Sequence, residues 1–136
     1  MRVARGIRVL CSLCVMPFAT HAQTEVNAEQ LRALAAGRTW AIAFYGDLTD
    51  KTRTAYWDFK PDGAVCARLA NNPPGSSCAD SGKWRLEGDK LCWELGWLGK
   101  TDGFQAVCGR ARRSGDAYQF INEKNQGSLM AFRPHK

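Results

Sequence analysis

The sequence predicts an all-β protein, an antiparallel up-and-down barrel or strongly curved sheet of about eight strands, preceded by one short helix. Three observations carry that expectation. From Trp40 onward, short runs rich in aromatic and aliphatic residues alternate apolar and polar positions, the period of a half-buried strand. Turn-forming clusters such as Pro61-Asp62-Gly63, Gly88-Asp89 and Ser114-Gly115-Asp116 separate these runs at nearly regular intervals. Only the segment from Val26 to Gly37 spaces its apolar residues as a helix does.

That helix comes first. Asn27 is placed to cap it, Gln30 stands where a capping box wants it, and Gly37 closes its C-terminus. Leu31, Leu34 and Ala35 form a narrow apolar stripe, which fits a lid or plug on the sheet. Trp40–Tyr45 and Thr52–Phe59 read as the first two strands, around a polar turn at 46–51. Ala64–Leu69 follows the Pro61-Asp62-Gly63 reversal. Residues 71–77, Asn-Asn-Pro-Pro-Gly-Ser-Ser, form a loop, because paired prolines cannot sit in a central strand. Lys83–Glu87 and Lys90–Leu95 make a hairpin about Gly88-Asp89. Gly103–Arg112, Ala117–Asn122 and Ser128–Arg133 complete the series, the last two joined by a turn containing Gly127. The chain holds no repeat, low-complexity tract or interdomain linker.

Ahead of this domain, Arg2, Arg5 and Arg8 precede the apolar run Val9–Met16, and small residues follow. This is the order of a secretory signal peptide, with Thr20-His21-Ala22 placing cleavage after Ala22. The expected division is therefore a leader at 1–22 and a single disulfide-stapled β domain at 23–136. Cys11 and Cys14 each follow a leucine, which does not match a lipid-anchoring signal. No apolar stretch after the leader is long enough for a transmembrane helix. The leader holds three of the nineteen basic residues and none of the thirteen acidic ones, so the exported chain carries a net charge of only +3. A charge so small and so dispersed argues against nucleic-acid binding.

Cys66, Cys78, Cys92 and Cys108 remain after cleavage, and an even count in an exported chain points to two disulfides. Zinc is disfavoured, since there is no C-x-x-C pair and His135 is the sole histidine of the exported chain. Three connectivities are formally possible. A hairpin centred near Lys100 sets Cys92 opposite Cys108 and leaves Cys66 to pair with Cys78 across the Asn-Pro-Gly loop.

Several phrases carry a resemblance: Tyr56-Trp57-Asp58-Phe59-Lys60-Pro61-Asp62-Gly63, Gly82-Lys83-Trp84-Arg85-Leu86, Leu91-Cys92-Trp93, Cys108 and Gly115-Asp116-Ala117-Tyr118. Over most of the exported chain they resemble bacterial exported proteins of the DUF995 type, a family that implies a fold and no activity. Gly37-Arg38-Thr39-Trp40, taken with Arg133, is similar to lipocalin-like barrels, in which an arginine of the last strand covers a tryptophan opening the first. The usual Gly-x-Trp spacing is one residue longer here. The comparison implies that Arg133 stacks on Trp40 and joins the two ends of the barrel.

Little in the sequence carries chemistry. A nucleophile–histidine device needs a held imidazole, and His135 is next to the last residue. Metal-ligand clusters and nucleotide-binding glycine loops are missing from the pattern, so no cofactor is expected. Asp58 and Glu94 are the notable carboxylates; strand alternation puts both on a solvated outer face, the alternative being a cavity where one acts as a general acid. Trp40, Trp57, Trp84 and Trp93 read as core, or as an aromatic-lined pocket. Trp97 and Leu98, between Gly96 and Gly99 in a long loop, read as a contact surface or as a loop folded back on its own barrel. Arg110 and Arg112 share a strand face that would suit an anion, Arg113 completing the basic cluster.

The resulting expectation is a periplasmic or secreted binding or interaction module of the bacterial envelope. Its partner would be a small apolar or sugar ligand, or an envelope protein. The alternatives are a periplasmic enzyme inhibitor that uses the Trp97 loop and a small barrel enzyme with buried carboxylates. A deep apolar calyx favours ligand binding, a filled interior favours the inhibitor, and two convergent carboxylates favour catalysis.

Overall fold

Asn27 Oδ1 accepts a hydrogen bond from the Gln30 N–H, and the Gln30 side chain accepts one from the Asn27 N–H, the reciprocal bonds of a capping box. Helix α1 (Ala28–Ala35) follows, and Gly37, at φ +76°, turns the chain into the sheet as the sequence anticipates. The computed structural model describes residues 23–44, 46–124 and 129–135. The leader expected over 1–22 lies outside the described residues, as do Tyr45, Ser128 and the Gly127 turn.

The strands are β1 (Thr24–Glu25), β2 (Arg38–Ala43), β3 (Thr54–Phe59), β4 (Ala64–Ala67), β5 (Asp80–Glu87), β6 (Lys90–Leu95), β7 (Ala106–Ser114), β8 (Ala117–Asn122) and β9 (Leu129–Pro134). From β2 to β9 each strand pairs antiparallel with the next, and β9 returns to β2, so eight strands close an up-and-down barrel. Strand β1 extends the wall beside β7 where β6 has ended, setting Glu25 opposite Arg112 and Thr24 opposite Arg113. Several bounds shift by two or three residues from the sequence expectation, β7 running Ala106–Ser114 in place of Gly103–Arg112 and β2 Arg38–Ala43 in place of Trp40–Tyr45, and two departures have a visible cause. Strand β1 is too short to show a period. Strand β5 starts three residues before Lys83, because Asp80-Ser81-Gly82 has the composition of a loop yet pairs with β4 and β6. A Cβ on Gly82 would run into the Glu94 carbonyl, so only glycine allows the strands to approach there.

Alternation sends Trp40, Ile42, Trp57, Phe59, Trp93, Phe120 and Phe132 inward, where they join one core. Rings meet edge-on or tilted: Trp57 on Trp93 at 5.5 Å, Trp93 on Phe120 at 4.8 Å, Trp40 on Phe132 at 4.9 Å. Leu31 and Ala35 of α1 are buried on one end of this core, so the helix acts as the expected plug. Each large side chain sealed in this way contributes roughly 1.5–3 kcal/mol. The rings leave an internal cavity of only about 20 Å³, all of it apolar, beneath α1. That space is about one water molecule. The interior is therefore filled and offers no calyx.

The expected Arg133–Trp40 stack does not form. Arg133 stands opposite Ala41, one residue out of phase with Trp40, and so projects from the outer face, 3.5 Å from Asp116. Phe132 and Tyr118 cover Trp40 instead. A shift of one residue exchanges the two faces of a strand, which is what separates Arg133 from Trp40.

Both disulfides join the partners favoured from the sequence. Cys92 lies directly opposite Cys108 across β6 and β7, with Cα atoms 4.1 Å apart, and Cys66 bonds to Cys78 in the loop after β4. The turns at the α1 end are short, at 60–63, 88–89 and 115–116. At the other end three long connections gather: 44–53, 68–79 and 96–105.

Candidate functional site

The site is built on the long-loop end, where Gly96-Trp97-Leu98-Gly99 leaves β6. Asp80, on the inner face opposite Ala67, is 7 % exposed and reaches the loop that leaves the neighbouring strand β6. Its Oδ2 accepts hydrogen bonds from the N–H groups of Trp97 and Leu98, both at 2.7 Å, and its Oδ1 accepts one from Ser81 at 2.8 Å. A Cβ on Gly96 would come within 2.8 Å of that carboxylate, so glycine is what lets Asp80 close on the loop. Gln105 secures the other foot, its Nε2 donating to the carbonyls of Leu95 and Gly96. Gly99, at φ +80°, lies against Phe104 with no room for a side chain.

Fastened in this way, the loop divides its two apolar residues. Leu98 is half-buried and packs against the core with Phe104 and Phe44. Trp97 stays outside at 55 % exposure. Leu98 thus folds back on its own barrel, as one of the two sequence alternatives has it, while Trp97 remains exposed to solvent. Leu69, 41 % exposed, stands on the neighbouring loop that the Cys66–Cys78 bond restrains. Between the loops is a recess of about 260 Å³ lined by Phe44, Leu69, Leu98 and Phe104, with Arg53 among its polar residues.

Charge at this end is anchored. Burial pushes the Asp80 pKa up, but the N–H groups of Leu98, Trp97, Ser81 and Gly96 outweigh it and hold the carboxyl below the usual carboxylate range. Asp58 behaves alike. Partial burial raises its pKa, while Arg68, whose Nη2 is 2.8 Å away, and the Thr39 hydroxyl at 2.7 Å bring it below normal. A carboxylate held ionised in this way is a poor general acid at neutral pH. Glu94 lies exposed on the outer face opposite Lys83. The two carboxylates therefore do not converge, and neither lines the interior cavity.

Arg110 and Arg112 do not join Trp97. They project from the outer wall of β7, where the Arg112 Nε binds Glu25 at 2.8 Å and Arg110 stands opposite Ile121. Flanking pairs, Arg85–Glu87 and Lys90–Glu123, make this face a lattice of alternating charges. Glu87 approaches Cys92 and Cys108, but both sulfurs are spent in the disulfide and leave no metal site there. Asp80, Gln105 and Leu69 are the residues that sequence reasoning missed. The available signal was an acidic residue two positions after Cys78, at the foot of the cysteine-closed loop.

No family model, curated protein or solved structure matches this chain.

Proposed function

We propose that this chain is an exported protein-binding module of the bacterial envelope that docks the long-loop end of its barrel on another protein, as a periplasmic or secreted enzyme inhibitor does. One observation carries the reading. A tryptophan 55 % exposed stands on a loop fastened at both feet, above a barrel whose interior is already full. Large apolar groups left in water on a rigid support are the usual anchors of protein interfaces. Rigidity matters because a loop ordered in advance loses little entropy on binding. The two disulfides and the leader-like N-terminus support an oxidising compartment. A small-molecule carrier would need a cavity in the core, and the one present is far too small.

Native mass spectrometry of protein recovered from its own periplasm tests the proposal. The parent chain should carry a bound protein that Trp97→Ala no longer carries, while the melting temperature stays within about 2 °C, as for a surface change. A bound protein retained equally by the variant, or a variant that unfolds, overturns the reading.

A further inference from the structure

The recess between the long loops is a hole that its own chain leaves open. Phe44, Leu98 and Phe104 are half-buried in its walls, and Leu69, 41 % exposed, stands at its rim. At about 260 Å³ it is smaller than the roughly 300–1,000 Å³ of sites that enclose small molecules, and it suits a single large side chain. Trp97, next to Leu98 and Gly99 of its lining, does not enter it. Asp80 holds the N–H groups of both Trp97 and Leu98 at 2.7 Å, and with Leu98 packed on the core Trp97 is left outside at 55 % exposure. Knob and hole therefore stand on one face of the molecule, fixed on the same loop and unjoined.

Charge on this face is matched in the same way. Arg53 and Asp102 both line the recess, from different loops, and are not bonded to each other. Arg53 makes only a loose, exposed contact with Asp50 at 3.6 Å, and among the described residues Asp102 has no cationic partner. Across the loops 44–53, 68–79 and 96–105, Lys51, Arg53 and Lys100 balance Asp47, Asp50 and Asp102, while Arg68 is bonded to Asp58. The face thus has no excess of either sign, and two copies of it meet without net repulsion. A two-fold pair needs a patch that holds both halves of every contact, because whatever one copy offers it must also receive.

We infer that this face binds a second copy of the chain in a two-fold pair, the Trp97 of each copy entering the recess of the other and Arg53 of each facing Asp102 of the other. Burial of two indole rings and four loop apolar residues drives the contact, and the opposed charges set its register. The inference shares its face with the docking reading but not its partner. Self-pairing covers Trp97, so a protein of different sequence that docks there has first to displace the second copy.

Sedimentation velocity of the exported, disulfide-intact protein over a rising concentration series tests this. The parent should pass from monomer to dimer, and Trp97→Ala should weaken the pair by about thirtyfold, the scale of an interface tryptophan. Arg53→Asp and Asp102→Arg, both exposed changes, should each weaken self-pairing by about tenfold, because each sets like charges against one another across the axis. Mixing the two variants should restore pairing as a mixed dimer, since every facing pair is then again of opposite sign. An Arg53–Asp102 contact within one chain cannot produce that recovery. A parent that stays monomeric up to about 1 mM, a dimer unaffected by Trp97→Ala, or charge variants that do not recover on mixing would each overturn the inference. The docking reading fails separately, since it requires a bound protein of another mass and this inference requires the chain's own mass doubled.

Discussion

Asp80 is almost wholly buried, yet it remains ionised because backbone N–H groups of Leu98, Trp97, Ser81 and Gly96 converge on it. Its folded pKa lies below the unfolded value of about 3.9, so the anion stabilises the fold fully above that pH. The contribution is lost as pH falls through the folded value. Asp80→Asn should therefore cost about 2 kcal/mol near pH 7, the scale of hydrogen bonds to a buried charge. The cost should shrink as pH falls through the lowered folded value, where the parent itself loses the charge. Urea unfolding at pH 7 and along a descending acid series checks this, and a cost that does not change with pH would show that the carboxylate charge is not what holds the loop. The same residue marks the limit of what the sequence discloses. Trp97 is visible because two large apolar residues between glycines have no local reason to be there. Asp80 is invisible because the groups it holds lie 17 and 18 residues further along the chain.

Elements are legible where the period is unambiguous. The expected hairpin of Lys83–Glu87 and Lys90–Leu95 pairs as anticipated, since polar and apolar residues alternate on both sides of Gly88, broken only where Cys92 is buried by its disulfide. The early start of β5 at Asp80 is illegible, because a close approach of two backbones decides it and no local propensity does. Helix α1 lies between these cases. Its capping box is written in Asn27 and Gln30, but its orientation is set by a distant contact, Asp89 Oδ1 accepting from the Ala28 N–H at 2.7 Å. An eight-residue helix is too short to persist on propensity, so cap and burial of Leu31 must hold it together. Asn27→Ala should cost about 1 kcal/mol and Asn27→Ser almost nothing, because serine also accepts from the third helical N–H. Hydrogen exchange at Gln30 and Leu31 measures the effect locally. Equal losses for alanine and serine would mean that the side-chain amide, and not the cap, is what matters.

At the scale of the molecule, an even series of strands joined by tight turns signals an up-and-down sheet, and two features invisible in the pattern decide what kind. One is whether large inward rings leave space between them; here tilted and edge-on packing of tryptophans and phenylalanines fills the barrel. The other is closure, which rests on β9. That strand pairs with β2 on one side and β8 on the other, and its Phe132 sits 4.9 Å from Trp40 and stacks on Tyr118. Ending the chain at Asn122 would leave β2 and β8 as open edges and expose the aromatic floor between them, the condition under which sheets associate edge to edge. Such a chain should lose its cooperative melt and aggregate, even with Cys66–Cys78 and Cys92–Cys108 intact, because both bridges lie within or beside β4 to β7 and span no part of the seam. Removing only His135 and Lys136 should be mild. It deletes the bond from the His135 N–H to the Thr39 carbonyl and the ring contact with Tyr56, and should lower the melting temperature by about 5 °C or less. Calorimetry of the two truncations separates a seam from a frayed end. A cooperative transition in the chain ended at Asn122 would mean that β2 and β8 can close on each other, and that β9 does not hold the barrel shut.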